Sequence, residues 1–160
     1  MLNELLGIPA HPLVVHAAVV FVPLLVLAGV LYALIPKLRG RIGWVAVLLA
    51  VVGPLSALLA MRSGDELAEV LTAKNYPPQI LDQVAEHQEY GESTLWFSLG
   101  LGAATGLLIF VTSGNRWVRD LPAVVRYGLA GLVVVLGVVT AYYVFKTGDT
   151  GSRAVWTGVL

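Results

Sequence analysis

Hydrophobic positions along this chain fall into four long runs, at 12–36, 43–61, 95–112 and 123–145. The segments between and beyond them hold every charged residue except Arg126. A helix rising about 1.5 Å per residue needs about 20 residues to cross a hydrocarbon core of about 30 Å, and each run meets that length. Arg126 lies near the start of the last run, so its apolar span is better taken from Tyr127. Backbone groups in lipid must be satisfied within the segment, so the runs are expected to be helical. The pattern predicts an all-α, polytopic integral membrane four-helix bundle forming one domain over residues 1–160.

The long connection between the second and third runs has a pattern of its own. Ser63 is followed three positions later by Glu66, a capping-box spacing, and Leu67, Val70 and Leu71 share one helical face. This predicts a short amphipathic helix over 64–74, ended by the breaker "NYPP". From Gln79 a helical pattern resumes through Ile80, Leu81 and Val84, with no breaker before Gly91. The third helix is therefore expected over 79–112, with 95–112 in the membrane and a polar extension carrying His87. Small residues recur at four-residue spacing as Ser98, Gly102 and Gly106, as Gly29 and Ala33, and as Gly137 and Ala141. Such spacing lets backbones approach closely in lipid. The Ser98–Gly102–Gly106 stripe is a candidate face for neighbouring helices or for a second copy of the chain. Pro23 and the Gly53–Pro54 pair are expected to kink their helices.

Composition strengthens the membrane reading. The chain is 58% hydrophobic and 12% charged, with mean hydropathy +0.82, where a soluble domain is about half apolar and about a quarter charged. It has no cysteine. That excludes disulfides, thiolate metal sites, iron–sulfur clusters and covalent haem attachment. The charges are sorted by side. Lys37, Arg39, Arg41, Arg116, Arg119 and Arg126 flank one end of the runs, and all acidic residues except Asp120 flank the other. By the positive-inside rule the basic end is cytoplasmic, which predicts both termini and the 62–94 connection outside. The first run has no basic residue before it and exceeds a signal core in length, so it is expected to remain as a helix. Trp44, Trp96 and Trp117 fall near span ends, where interfacial anchors belong.

This topology gathers the notable polar residues at the outer end. They are His11 and His16 at the start of the first helix, Asp65 after the second, His87 before the third, and Asp149 and Arg153 after the fourth. His11 and His16 differ by about 140° in azimuth at about 100° per residue. Pro12 suits a first helical position, which makes His11 an interfacial cap. His16 is one turn deeper and needs a partner inside the bundle. It is the stronger candidate, with His87, for a haem or metal site, because imidazole ligates haem iron, zinc and copper. The competing expectation is a hydrogen-bonded cap in which His16, His87, Asp65, Asp149 and Arg153 seal the bundle. Proton relay, quinone or small-ligand binding and partner contact fit the same residues. "GDTG" (148–151) does not match a phosphate loop and reads as a turn after the last helix. No hydrolase triad, zinc-protease pattern or nucleic-acid surface is present.

Three motifs carry a family resemblance: "HPLVVHAAVVFVPL" near the start, "EHQEYGE" before the third run, and "TGDTGSRAVWTG" at the end. In this order they resemble the domain of unknown function 2231 family, in its short single-domain actinobacterial form. The resemblance implies a multi-pass protein of the bacterial plasma membrane, with four helices and no established biochemical role. Relatives joined to Rieske-type electron-transfer modules imply a haem or redox connection. The positions it implicates are His11, Pro12, His16, His87, Gly91, Gly148, Gly151 and Trp156. Many relatives have histidine where this chain has Asp149 and Thr157, which weakens the haem implication. The leading expectation is a non-enzymatic membrane protein that binds a ligand or relays protons or electrons through its histidine cluster, accessory to a redox assembly. The alternatives are a small b-type haem electron-transfer protein and a structural or partner-binding subunit.

Overall fold

In the computed structural model the four apolar runs form helices that satisfy their backbone groups internally. They are α1 (Ala10–Leu34), α2 (Arg39–Ala73), α3 (Pro78–Thr112) and α4 (Ala123–Trp156). Residues 4–5, 8–114, 117–118 and 121–156 are described. Arg116, Arg119, Asp120 and Thr157, which entered the charge and motif arguments, lie outside them. Two short antiparallel strands, β1 (Glu4–Leu5) and β2 (Ile8–Pro9), precede α1, and a 3-10 turn (Pro36–Leu38) joins α1 to α2. Each helix packs on its sequence neighbours, and α4 closes back on α1. This is the up-down-up-down arrangement that short connections favour.

All four helices are long and apolar enough to cross a membrane, with windows of mean hydropathy from 1.8 to 2.6. Their outward faces stay apolar: Leu27, Val51 and Val135 are each more than half exposed. A soluble monomer does not carry so continuous an apolar surface, so the chain is an all-α integral membrane bundle. Trp44, Trp96 and Trp117 are also exposed.

α2 and α3 have 35 residues each and α4 has 34, a length of about 50 Å against a core of about 30 Å. The surplus projects at the end where α1 begins and α4 finishes, called here the histidine end. At the opposite, arginine end, Arg39 closes the last turn of α1, donating from Nε to the Tyr32 carbonyl (3.0 Å) and from Nη2 to the Ala33 carbonyl (3.3 Å). Tyr32 in turn shares a hydrogen bond with Thr112 of α3 (2.8 Å).

Two expected breaks are absent. The 64–74 segment is helical, but it continues α2 rather than forming a separate helix. Ser63 does not cap forward. It is buried, and its hydroxyl donates back to the Ala60 carbonyl at 2.9 Å, which leaves the ladder unbroken through Gly64. Likewise "GDTG" is a turn of α4. Thr147, Thr150 and Ser152 donate to the carbonyls of Tyr143, Lys146 and Asp149. Asp149 and Arg153 form an i,i+4 ion pair at 3.1 Å. Glycine costs a helix about 1 kcal/mol relative to alanine, and packing against α3 offsets it. The break at "NYPP" is real. Asn75 takes a left-handed conformation (φ 54), and the Tyr76 N–H reaches back to the Leu71 carbonyl, closing α2 in a Schellman-type turn.

Two of the three small residues of the α3 stripe are spent inside the molecule. Pro54 has no N–H, so the Ala50 carbonyl one turn earlier lacks its helical donor. That oxygen lies against Gly102, where an added Cβ would stand 2.6 Å from it. Ser98 is fully buried and Gly102 is buried, while a Cβ on Gly106 would meet nothing within 4 Å. Ser98 and Gly102 therefore pack against the chain's own helices and are not available as an oligomer face, whereas Gly106 stays open. Ser98 and Gly102 are covered by the chain's own helices because the proline-freed carbonyl requires a glycine opposite it. Gly29 meets Thr105 of α3 and Gly137 meets Val30 of α1 at similarly short range.

Candidate functional site

Because α1 starts at Ala10, its first turn lies level with the middle of the projecting parts of α2, α3 and α4. There a mainly apolar chamber of about 500 Å³ opens between all four helices. Its lining runs from Ala57 to Leu71 on α2 and from Ile80 to Thr94 on α3, a height of about 20 Å at about 1.5 Å per residue. At the Ala57 end of that lining, Ala57 packs with Val22 and Leu95.

Two imidazoles meet at mid-height, and they are His11 and His87. Their ring centroids are 6.1 Å apart with planes at 74°. His11 Nδ1 is 3.0 Å from the Ala60 carbonyl and 3.1 Å from Ser63 Oγ. A carbonyl only accepts, so Nδ1 carries the proton and Nε2 keeps its lone pair. His87 Nδ1 is 3.2 Å from Thr150 Oγ1. The Thr150 hydroxyl proton is given to the Lys146 carbonyl at 2.9 Å, so Oγ1 accepts and the His87 tautomer is the same. Each ring lies against a glycine: a Cβ on Gly64 would be 3.2 Å from His11 Cε1, and one on Gly151 would be 2.9 Å from His87 Cε1. His87 is two turns before the apolar part of α3. Burial pushes its pKa below the usual histidine value and the neighbouring His11 lowers it further, against a raising hydrogen bond to Thr147. A neutral His87 offers Nε2 as an acceptor or ligand at neutral pH.

The other expected site residues separate. His16 lines the same chamber but is exposed, and its Nδ1 donates to the carbonyl of Pro12 on its own helix. The expected pairing of His16 with His87 is thus replaced by His11 with His87. α1 starts at Ala10, two residues before Pro12, so His11 is a helical position rather than a cap, and it is the His11 face that packs onto α2. Asp65 accepts from Gln88 at 3.0 Å, tying α2 to α3. Asp149 and Arg153 pair with each other, and neither is among the residues that line the chamber. The predicted single polar seal is instead a set of separate local pairings. Thr94 and Thr147, joined at 2.9 Å, Gly64 and Thr150 were missed by sequence reasoning. The signal was available in glycines that recur where a helical pattern continues.

Four apolar antiparallel helices around an imidazole-bearing chamber define a four-helix integral membrane protein. Within that class, the chain belongs to the domain of unknown function 2231 family (DUF2231), described as a predicted membrane protein, whose family model matches residues 7–160. No curated protein and no solved structure matches the chain.

Proposed function

We propose that this protein is a non-enzymatic ligand-binding protein of the bacterial plasma membrane, accessory to a redox assembly, with the histidine end outside. The observation that carries the reading is the chamber itself. It is apolar, has the volume of a small-molecule site (about 300–1,000 Å³ is usual), and contains two oriented imidazoles with free Nε2 atoms. Gly91 and Gly148 line it, and a Cβ on either would meet nothing within 4 Å. Together they leave room for a bulky apolar occupant.

Filling that room tests the reading. Gly91→Leu with Gly148→Leu is expected to abolish small molecules that co-purify with the detergent-solubilised protein, seen by native mass spectrometry, while the melting temperature stays within a few degrees. An identical bound complement in both proteins would overturn it.

Orientation has its own measurement. The chain has no cysteine, so single Thr72→Cys and Lys37→Cys variants are clean probes. A membrane-impermeant thiol reagent is expected to label the first in intact cells and the second only after lysis; the reverse result would invert the topology.

A further inference from the structure

We infer that His11 and His87 are the two axial ligands of a planar, metal-centred macrocycle of the haem class bound in the chamber. This rests on the chamber's being a ligand site and names the ligand's chemistry.

The spacing is the first argument. An imidazole nitrogen lies about 2 Å from a bound metal, and the ring centre is about 1 Å further. Two rings on opposite sides of one metal are therefore about 6 Å apart, and here the separation is 6.1 Å. The twist of 74° between the rings is compatible with two ligands rotated about a common axis.

The second argument is the support of each ring. Metal-ligating histidines characteristically donate their other N–H to a carbonyl or a similar acceptor, which fixes tautomer and ring angle. Both rings do so through Nδ1, to Ala60 and Thr150. Gly64 and Gly151 give each ring a flat wall that a side chain would remove.

The third argument is what is lacking. Among the described residues no group of three or more His, Cys, Asp or Glu could hold a metal ion. A bare zinc ion needs about four donors, and two imidazoles leave it short. A macrocycle brings its four equatorial donors with it and asks the protein for axial ligands only. It also wants apolar walls, which Val15, Val19, Leu67, Ile80, Val84 and Val144 supply. Among the described residues no lysine or arginine lines the chamber, so it offers no cation to carboxylate substituents on such a ligand.

The test is titration of the purified apoprotein in detergent with ferric haem b. The expected result is one equivalent bound, with the optical and electron-paramagnetic signature of a low-spin bis-imidazole iron. His11→Ala or His87→Ala should abolish that low-spin signature and weaken binding at least tenfold, whereas His16→Ala should change neither. To separate ligation from misfolding, His87→Gly is tested with added free imidazole, which should restore the low-spin spectrum. A low-spin spectrum surviving in both single alanine variants, or no haem binding by the folded wild type, would overturn the inference. If haem fails while the co-purifying apolar ligand is still lost on filling Gly91 and Gly148, the ligand-site reading stands and only the macrocycle falls. Tight binding of cuprous ion alone, with no haem bound, likewise rejects the macrocycle.

Discussion

Gly102→Ala is expected to destabilise the bundle by about 1–3 kcal/mol, the range for overpacking a tight contact. The added methyl would stand 2.6 Å from the Ala50 carbonyl oxygen and 3.4 Å from the Pro54 ring. Neither is the free end of a flexible side chain. Relief requires α2 and α3 to move apart along a seam whose neighbours are already tight, since Ser98, Leu101 and Thr105 have no exposure. Separation in lipid recovers little, because helix association there depends on close packing rather than on a hydrophobic drive. Gly106→Ala is the matched control. It lies one turn on, meets nothing within 4 Å, and should gain up to about 1 kcal/mol of helix propensity. Unfolding of both variants in mixed micelles compares them directly. Equal stability for the two would mean that the α2–α3 crossing is looser than described. A second copy of the chain is not needed to explain the outcome, because the contact is internal.

Gly151→Ala is expected to disable the site while sparing the fold. Its methyl would lie 2.9 Å from His87 Cε1 and 3.2 Å from Nδ1. The ring must swing, and the 3.2 Å hydrogen bond to Thr150 is lost with it. Loss of such supporting bonds typically costs about 10–100-fold in metal affinity, and that is the loss expected for a metal-centred ligand held by His87. The readout that needs no ligand is the nitrogen-15 spectrum of histidine-labelled protein. In the wild type, His87 should show a protonated Nδ1 and a bare Nε2, and Gly151→Ala should mix the tautomers. Gly148→Ala, three residues earlier and opposite open space, should leave the spectrum as it was. Unchanged His87 resonances in Gly151→Ala would show that the ring does not rest on that glycine.

Much of this was legible in the chain. The four apolar runs exceed the length a bilayer demands, and no soluble arrangement hides them, so helix number and antiparallel order followed without coordinates. The motif order pointed to the family. The break at "NYPP" was also readable, because a left-handed Asn and two prolines end a helix by local sterics. What misled were residues whose local preference is weaker than packing. Ser63–Gly64 and the "GDTG" segment carry stop signals of about 1 kcal/mol, and long neighbouring helices override them. Azimuth was misjudged for the same kind of reason. α1 begins before His11, so His11 is held on a helix face rather than as a cap, and the rotation of α1 that puts that face on α2 and leaves His16 exposed is set by packing between helices, at about 100° per residue.

Taken alone, the sequence determined the class of protein, the number of crossings and the end of the bundle at which imidazoles gather. These depend on composition and on period, which are properties of single segments. Only the tertiary structure decided that His11 rather than His16 faces His87, that Gly64 and Gly151 are the walls behind those rings, and that Gly102 answers a carbonyl freed by Pro54. Each of these is a distance between residues far apart in the chain. Such distances are set by how four rigid helices rotate and slide to fit one another, which no single segment encodes.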